Sequence, residues 1–292
     1  MEEQFPVLYL ARRHVCDGAG SGRYIGGTSI APLWTPYDVD QIEDVITHGF
    51  GIAPESFGLA GGYPGSHFQV AISRGSDVFE RMASGRLPTD LGEVEGELEV
   101  TGSMHRAPLF AGDVYWTIAT SSGGGYGDPI EREPDRVSED VSDCIVSIEG
   151  ARQIYGVVLE PSAGGEHRVD PDATRRTRES IRAARQAESR APAIAFDPRT
   201  APALQAPLGQ RMTSSLSVFA DPSDAGRRWI RCRCGTCLGP AEHGYKALAR
   251  LRESPVDRAG LATDRFRLAA AFVLREFFCP GCQTSLATEV AL

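Results

Sequence analysis

The chain has 292 residues, of which 41% are hydrophobic and 24% are charged, a composition typical of a globular protein with one large domain or two ordinary ones. Its net charge of −9 argues against a protein that coats nucleic acid or an anionic membrane, and no apolar run reaches the ~20 residues of a membrane span. The acidic start at Met1 lacks a signal sequence, and seven cysteines, mostly in metal-type spacing, suit a reducing compartment, so we expect a cytoplasmic protein with no membrane partner.

The first part of the chain alternates short strands with glycine-rich turns. Residues 5–10 and 68–72 are apolar and predict strands, whereas residues 28–56 show no clear pattern. Glycines crowd the loops at 17–27 and 57–65. The first loop has the glycines of a phosphate cradle, but no Lys-Ser or Lys-Thr pair closes it as in a P-loop. We therefore favour tight turns and close backbone approaches there.

The next elements are a strand pair and two helices. Residues 91–101 alternate acidic and apolar side chains, which predicts a strand whose glutamates form a solvated face. Residues 107–120 predict a turn followed by an apolar strand. Helices are expected at 133–143 and at 148–155, and Ser147 has the side chain to cap the second one.

Three glycine-rich motifs stand out in this region. The runs Ser21-Gly-Arg-Tyr-Ile-Gly-Gly27 and Gly58-Leu-Ala-Gly-Gly-Tyr-Pro-Gly65 precede the run Ser121-Ser-Gly-Gly-Gly-Tyr-Gly-Asp-Pro129. In this order they resemble turns of the N-methylhydantoinase B family, and the last run is the most specific. The resemblance covers about residues 5–160. The family includes large subunits of ATP-dependent acetone and acetophenone carboxylases, 5-oxoprolinases, and ATP-dependent hydantoin or lactam hydrolases.

The resemblance implies that this chain corresponds to the C-terminal half of the family fold. Its other half, with the His- and Asp-rich segment where the metal and substrate site is expected, has no counterpart here, so no catalytic or cofactor-binding residue can be carried over. We expect a separate polypeptide to supply that half. Tyr126 and Asp128 are the residues of the glycine run to mutate first, and a structural role suits both better than a catalytic one.

A change of composition marks residues 161–212. Residues 172–190 predict an exposed helix, and residues 191–210, rich in proline and alanine, predict a linker. The arginines of the helix form a basic face, which either docks an acidic partner or a nucleic acid or is simply solvated. They are Arg175, Arg176, Arg178, Arg182, Arg185 and Arg190.

Two cysteine runs near the C-terminus predict a zinc site, because each run is entered from an apolar, strand-like segment. The run Cys279-Pro-Gly-Cys282 is a clear half-site, whereas the earlier run offers Cys234 with either Cys232 or Cys237. Gly235 favours Cys234 as the closing ligand, because glycine relieves a tight turn. A disulfide or free thiols are the alternatives. Our ligand set, with Cys237 as a substitute, is Cys232, Cys234, Cys279 and Cys282.

Three motifs surround these cysteines: Cys232-Arg-Cys-Gly235, His243-Gly-Tyr-Lys246 and Arg275-Glu-Phe-Phe-Cys-Pro-Gly-Cys282. Together they resemble the small zinc-binding gamma subunit of acetone carboxylase. This resemblance favours the Cys-x-Cys pairing, although His243-Gly-Tyr stands where the family tends to have Asn-Trp. Between the cysteine runs we predict helices near 241–253 and 264–276.

These patterns predict an α+β fold. A mixed, β-rich, hydantoinase-B-like C-terminal half with short helices fills residues 1–160, the Arg-rich helix and Pro/Ala linker fill 161–212, and a small zinc-ribbon-like, gamma-subunit-like module fills 213–292. Four thiolate ligands leave no open position on the metal, so the zinc should be structural.

Both resemblances imply a subunit of an ATP-dependent, acetone- or acetophenone-carboxylase-like complex, a ligase that carboxylates a ketone with bicarbonate. The chain would be a non-catalytic or co-catalytic scaffold, inactive alone. The expected partners are hydantoinase-A-like and hydantoinase-B-like large subunits, which would hold ATP and a catalytic divalent metal. One alternative is a subunit of an ATP-dependent hydantoin, lactam or 5-oxoproline hydrolase. Another is a nucleic-acid-binding zinc ribbon, which the net acidity disfavours.

Overall fold

The computed structural model describes residues 2–49, 53–101, 104–118, 121–161, 167–204, 207–209, 211–224, 226–260, 262 and 264–292. The strands within them are β1 (Val7–His14), β2 (Ile30–Pro36), β3 (Gln41–His48), β4 (Gln69–Arg74), β5 (Glu97–Thr101), β6 (Met104–Phe110), β7 (Val114–Ile118), β8 (Leu159–Pro161), β9 (His167–Val169), β10 (Leu216–Ala220), β11 (Arg228–Cys232), β12 (Cys237–Pro240), β13 (Arg250–Pro255), β14 (Val273–Phe278) and β15 (Ser285–Ala291). The helices are α1 (Val78–Ala83), α2 (Pro134–Ser142), α3 (Ile148–Gln153) and α4 (Pro171–Glu188). None of them is long and apolar enough to cross a membrane.

The largest sheet has five antiparallel strands in the order β1-β2-β7-β4-β5. Strand β7 sends its side chains alternately into two cores, with Trp116 and Ile118 in one and Tyr115 in the other. The second core lies under the two-stranded ribbon of β3 and β6, to which Leu109 belongs. Because both faces of the sheet are covered, all of β7 is buried and its sequence does not alternate apolar with exposed polar residues.

The C-terminal part of the chain helps to close the first core. Phe266 packs edge-on against Trp116, with ring centroids 5.5 Å apart. Nearby, the buried side chain of His67 places its Nε2 atom 3.2 Å from Oδ1 of the buried Asp264. Asp264 and Phe266 therefore contact buried groups from the first half of the chain.

The three glycine-rich loops pack directly against one another. Gly20 N donates to Gly123 O at 2.9 Å, and Tyr63 N donates to Ser21 O at 2.7 Å. A Cβ atom on Gly26 would lie only 2.0 Å from Gly123 O, so a larger residue at position 26 would force the loops apart. The loops therefore make the close backbone approaches predicted from their sequence. They also use many of their N–H groups on each other, whereas a phosphate cradle would present such groups to a ligand.

Most of the predicted elements before residue 160 are present, and the fold is β-rich with few helices, as expected. Helices α2 and α3 confirm the predictions at 133–143 and 148–155, and the Ser147 hydroxyl accepts a hydrogen bond from Gly150 N at 2.9 Å. The strand predicted over 91–101 is shorter, because a 3₁₀ turn, Leu91–Glu93, precedes β5. Strands β2 and β3 lie where the sequence showed no pattern.

The arginine-rich helix is α4, and it is not wholly exposed as predicted. Its N-cap, Asp170, accepts hydrogen bonds from the backbone N–H groups of Asp172 and Ala173. The side chain of Arg185 is only 1% exposed, because it lies against residues of both the glycine loops and the second cysteine run.

The helices predicted near 241–253 and 264–276 are wrong. Two three-stranded antiparallel sheets, β10-β11-β12 and β13-β14-β15, form this part of the chain. Strand pairing brings Arg252 opposite Glu276, and their buried side chains form an ion pair. Residues 264–271 form turns, in which the Asp264 carboxylate accepts from Leu268 N and Ala269 N. These long-range pairings outweigh the helical spacing of Leu268 and Phe272.

Candidate metal centre

The structure brings together the four cysteines preferred from the sequence. The Sγ atoms of Cys232, Cys234, Cys279 and Cys282 all lie within 4.8 Å of one another. Strand β11 ends at Cys232, and Cys279 directly follows β14, so each of the two small sheets presents one cysteine run. The site therefore depends on how the two sheets pack.

The sulfur separations fit a tetrahedral zinc ion. The distance is 3.9 Å between Cys232 Sγ and Cys282 Sγ, and 3.8 Å between Cys234 Sγ and Cys279 Sγ. Four sulfurs at about 2.3 Å from a tetrahedral zinc are about 3.8 Å apart, whereas a disulfide needs about 2.0 Å. The group thus has the donor set and the spacing of a structural zinc site.

The two cysteine runs have the same local geometry. Cys232 N donates to Thr236 O at 2.9 Å, and Cys279 N donates to Thr284 O at 3.0 Å. The residue after the second cysteine of each run has a left-handed backbone, with φ of +98° at Gly235 and +60° at Gln283. This left-handed turn is the feature from which Cys234 was inferred to close its run.

A threonine hydroxyl stands beside one sulfur in each run. Thr236 Oγ1 lies 3.3 Å from Cys234 Sγ, and Thr284 Oγ1 lies 3.2 Å from Cys282 Sγ. Against a thiolate, each hydroxyl can donate a hydrogen bond and so orient the ligand from outside the metal.

Hydrogen bonding within the group shifts the pKa values of its thiols in opposite directions. Hydrogen bonds from Cys232 and Cys279 hold the pKa of the Cys282 thiol below its usual value, whereas hydrogen bonds with Cys279 and Cys282, and then burial, raise the pKa of Cys232. A metal ion needs deprotonated sulfur, so its binding would release protons from the group.

Cys237 lies outside the group. It packs in a separate core with Phe219 and Trp229, and burial raises the pKa of its thiol. A buried, protonated thiol behaves as a small apolar residue. The geometry therefore favours the Cys232–Cys234 pair over a pair formed by Cys234 and Cys237.

A buried ion pair ties the cysteine centre to the glycine loops. Arg185 forms a two-pronged interaction with Asp128, with Nη1 to Oδ2 at 2.7 Å and Nη2 to Oδ1 at 2.8 Å. Arg185 also donates to Gln283 O, and Ser285 N donates to Asp128 Oδ2. Asp128 therefore has the structural role that suited it from the sequence, and it joins the glycine run, α4 and the second cysteine run.

A second buried pair extends this network. Arg252 binds both carboxylate oxygens of Glu276, at 2.8 and 2.9 Å, and the Tyr63 hydroxyl donates to Glu276 Oε1 at 2.7 Å. Burial, followed by the Glu276 charge, raises the pKa of Tyr63, so its hydroxyl remains protonated. The guanidinium carbons (Cζ) of Arg185 and Arg252 lie 5.0 and 5.1 Å, respectively, from the centroid of the Phe278 ring. No sequence pattern marks Arg185, Arg252 or Glu276 as buried residues, because their partners are distant in the chain.

Tyr126 lies at the exposed tips of the glycine loops. Its backbone bridges to Tyr24 and to Leu59, and the Tyr24 and Tyr126 ring centroids are 6.2 Å apart. These three side chains are at least 39% exposed, so Tyr126 belongs to a surface and not to a catalytic cavity.

Parts of this chain are similar to known proteins. Residues 1–129 match the family model Hydantoinase B/oxoprolinase. The acetophenone carboxylase delta subunit of Aromatoleum aromaticum is 31% identical over 197 residues, covering 64% of this chain and 28% of that protein. The caprolactamase subunit beta of Pseudomonas jessenii is 46% identical over 176 residues, covering 60% of this chain and 26% of that protein.

A solved structure of acetone carboxylase, free of nucleotide, is similar to 63% of this chain with a TM-score of 0.53 and 27% identity, over 26% of its own length. The chain thus spans about a quarter of the length of the curated relatives that it matches. The resemblance to the hydantoinase B family is confirmed as a match of residues 1–129 (the Hydantoinase B segment) to the family model, in a chain whose relatives are named as acetone carboxylase, acetophenone carboxylase and caprolactamase subunits.

Proposed function

We propose that this chain is a scaffolding subunit of an ATP-dependent, acetone- or acetophenone-carboxylase-like complex, in which its cysteine centre holds a structural zinc ion. The observation that carries the proposal is the buried network from Tyr63 and Asp128 to Glu276 and Gln283. It makes the Hydantoinase B segment and the cysteine centre parts of one packed unit. The zinc ion would then stabilise a surface built by both.

The proposed role is structural because of the ligands that the chain offers. A metal ion needs at least three His, Cys, Asp or Glu side chains close together. Among the residues that the structure describes, the four cysteines form the one group that meets this condition. Four thiolates would leave zinc no position for substrate. We therefore assign ATP and a catalytic divalent metal to hydantoinase-A-like and hydantoinase-B-like partner chains.

An exposed apolar surface supports a role within a complex. The tips of the three glycine loops carry Tyr24 (60% exposed), Leu59 (64%) and Tyr126 (39%), and Phe57 is also exposed. Contiguous exposed apolar side chains are typical of protein–protein contacts. The backbone contacts between the loops hold these side chains in place, so the surface is ordered before a partner binds.

The test is native purification through a tag on this chain, with mass spectrometry of the bound chains and metal analysis. The proposal predicts that hydantoinase-A-like and hydantoinase-B-like chains co-purify, with about one zinc per copy of this chain. The purified complex should consume ATP and bicarbonate with a ketone. A solitary chain that contains zinc, or a complex inactive with every ketone, would contradict the proposal.

A second candidate is a subunit of an ATP-dependent lactam hydrolase. It is favoured by the 46% identity to the caprolactamase subunit beta, which exceeds the identity to the acetophenone carboxylase subunit. The two candidates differ in co-substrate, so the same complex is assayed with ATP and a cyclic amide in the absence of bicarbonate. Ring opening under those conditions would identify a lactam hydrolase, and bicarbonate-dependent ATP use with a ketone would identify a carboxylase.

A further inference from the structure

One surface of α4 forms a cleft of about 490 Å³ lined by arginine side chains. The cleft lies between the start of α2, strand β9 and the first half of α4. It is lined by four arginines and by two acidic residues, Asp135 and Glu179. The arginines are Arg168, Arg175, Arg178 and Arg182. The cleft is thus basic although the whole chain carries a net charge of −9.

Two arginines of the cleft, Arg178 and Arg182, form no ion pair with a carboxylate among the described residues. Arg178 is half-buried and donates to two backbone carbonyl oxygens, Tyr155 O at 3.1 Å and Arg132 O at 2.6 Å. These bonds fix the guanidinium without cancelling its charge, and both burial and the nearby Arg182 lower the pKa of Arg178. Within the described part of the chain, Arg182 has no ion pair.

The other two arginines are only weakly paired. Arg175 pairs with Asp172 at 2.8 Å, and Arg168 pairs with Glu160 at 3.6 Å, and both pairs lie on the exposed surface. Exposed pairs of this kind contribute little and exchange easily. All four arginines are therefore available to an incoming anion.

The helix ends add little to the positive potential. The cleft is lined by Pro134, at the start of α2, and by Pro171, at the start of α4. The N-terminus of a helix carries a partial positive charge, but Asp135 lies in the first turn of α2 and Asp170 caps α4, so the arginines supply most of the potential.

The spacing of the arginines indicates the shape of the anion. Arg175, Arg178 and Arg182 are spaced three and four residues apart, so they lie on one face of α4 and extend over about 10 Å. A single phosphate can contact only one or two of them, whereas a chain with several carboxylates can contact all. No aromatic side chain lines the described part of the cleft, so it offers no stacking platform for nucleic-acid bases.

We propose that this cleft docks an acidic segment of a partner subunit, in which several Asp or Glu side chains pair with Arg168, Arg175, Arg178 and Arg182. That the partner belongs to the same complex rests on the proposed function. The preference for an anion with several carboxylates follows from the spacing of the arginines in the cleft and does not depend on the proposed function.

The variant for the test is Arg175→Glu with Arg182→Glu, which reverses two charges and leaves the backbone contacts of Arg178 intact. The matched control is Arg176→Glu with Arg199→Glu, because both arginines are exposed and neither lines the cleft. In native purification, the cleft variant should retain about one tenth or less of the partner that the control retains. Equal retention of the partner by both variants would overturn the proposal.

A binding assay keeps this test separate from the proposed function. A labelled peptide of alternating Glu and Gly should bind the full chain in a salt-sensitive manner, about tenfold more weakly to the cleft variant than to the control. Equal binding to both variants would overturn the proposal. So would displacement of the peptide by low millimolar inorganic phosphate, or tighter cleft-dependent binding of a single-stranded oligo-dT. If no partner co-purifies but the peptide result holds, the proposed complex fails and the cleft assignment stands.

Discussion

The two sides of α4 use the same residue type in opposite ways. On the inner side, Arg185 is 1% exposed and its charge is matched by Asp128. On the outer side, Arg178 and Arg182 are only partly covered, and described backbone carbonyls, not carboxylates, accept from Arg178. A guanidinium that is matched within the chain stabilises the fold, whereas one that is left unmatched is available to a partner.

The inner side also depends on the cysteine centre. Arg185 donates to Gln283 O, which directly follows Cys282, so the position of the second cysteine run determines one of the contacts of the helix. The outer side has no such dependence, because the cleft is formed by α2, β9 and α4. The comparison therefore predicts that changes at the metal centre disturb the inner side first.

Loss of a zinc ligand should have the largest effect. Cys279→Ser removes a buried sulfur from the group of four, so we expect loss of bound zinc and a fall of roughly several kcal/mol in the free energy of unfolding. Metal analysis and urea unfolding measure both. Cys237→Ser is the matched control, since Cys237 lies outside the group, and it should retain full zinc content. Zinc loss in the control alone would reverse the ligand assignment.

Removal of the inner ion pair should come next. Arg185→Met leaves the Asp128 carboxylate buried and unpaired, so the free energy of unfolding should fall by about 3–5 kcal/mol. Urea unfolding gives this value, and Arg176→Met on the exposed side of the helix should change it little. If Arg185→Met left the free energy of unfolding nearly unchanged, the buried pair would not stabilise the packing of α4.

A smaller loss is expected at the edge of the same network. Tyr63→Phe removes the hydroxyl that donates to Glu276 Oε1 at 2.7 Å but keeps the ring. Because Glu276 retains both hydrogen bonds from Arg252, the free energy of unfolding should fall by only about 1–2 kcal/mol. A loss as large as that of Arg185→Met would mean that Tyr63 is as important to the network as the ion pair.

The smallest effect on stability is expected on the outer side. Arg182→Ala removes a charge that has no ion pair among the described residues and that repels Arg178, so the free energy of unfolding should change by no more than about 0.5 kcal/mol. The same variant should weaken partner retention. A strongly destabilised Arg182→Ala variant would make the cleft part of the fold and not a binding surface.

Local chemistry made the metal centre and the glycine loops predictable. The spacing of the cysteines and the turn at Gly235 indicated the four sulfurs that the structure brings together. The crowding of glycines indicated close backbone contact, which is confirmed at Gly26 and Gly123. Both signals lie within a few residues of the feature that they predict.

The remaining features depend on partners that are far apart in sequence. Arg185 is buried because Asp128 and Gln283, 57 and 98 residues away, accept its hydrogen bonds. Strand β13 was predicted as a helix because its local pattern does not reveal its pairing with β14. Helical spacing and burial patterns within one segment carry no information on such contacts.

The buried network joins the cysteine centre and the Hydantoinase B segment into one structural unit. Hydrogen exchange of the full chain, with and without a strong zinc chelator, measures whether the two are coupled. Chelation should speed amide exchange in both cysteine runs and also in the glycine loops at 58–65 and 122–127, through Asp128 and Ser285. Faster exchange confined to residues 226–292, with unchanged glycine loops, would show that the two are independent.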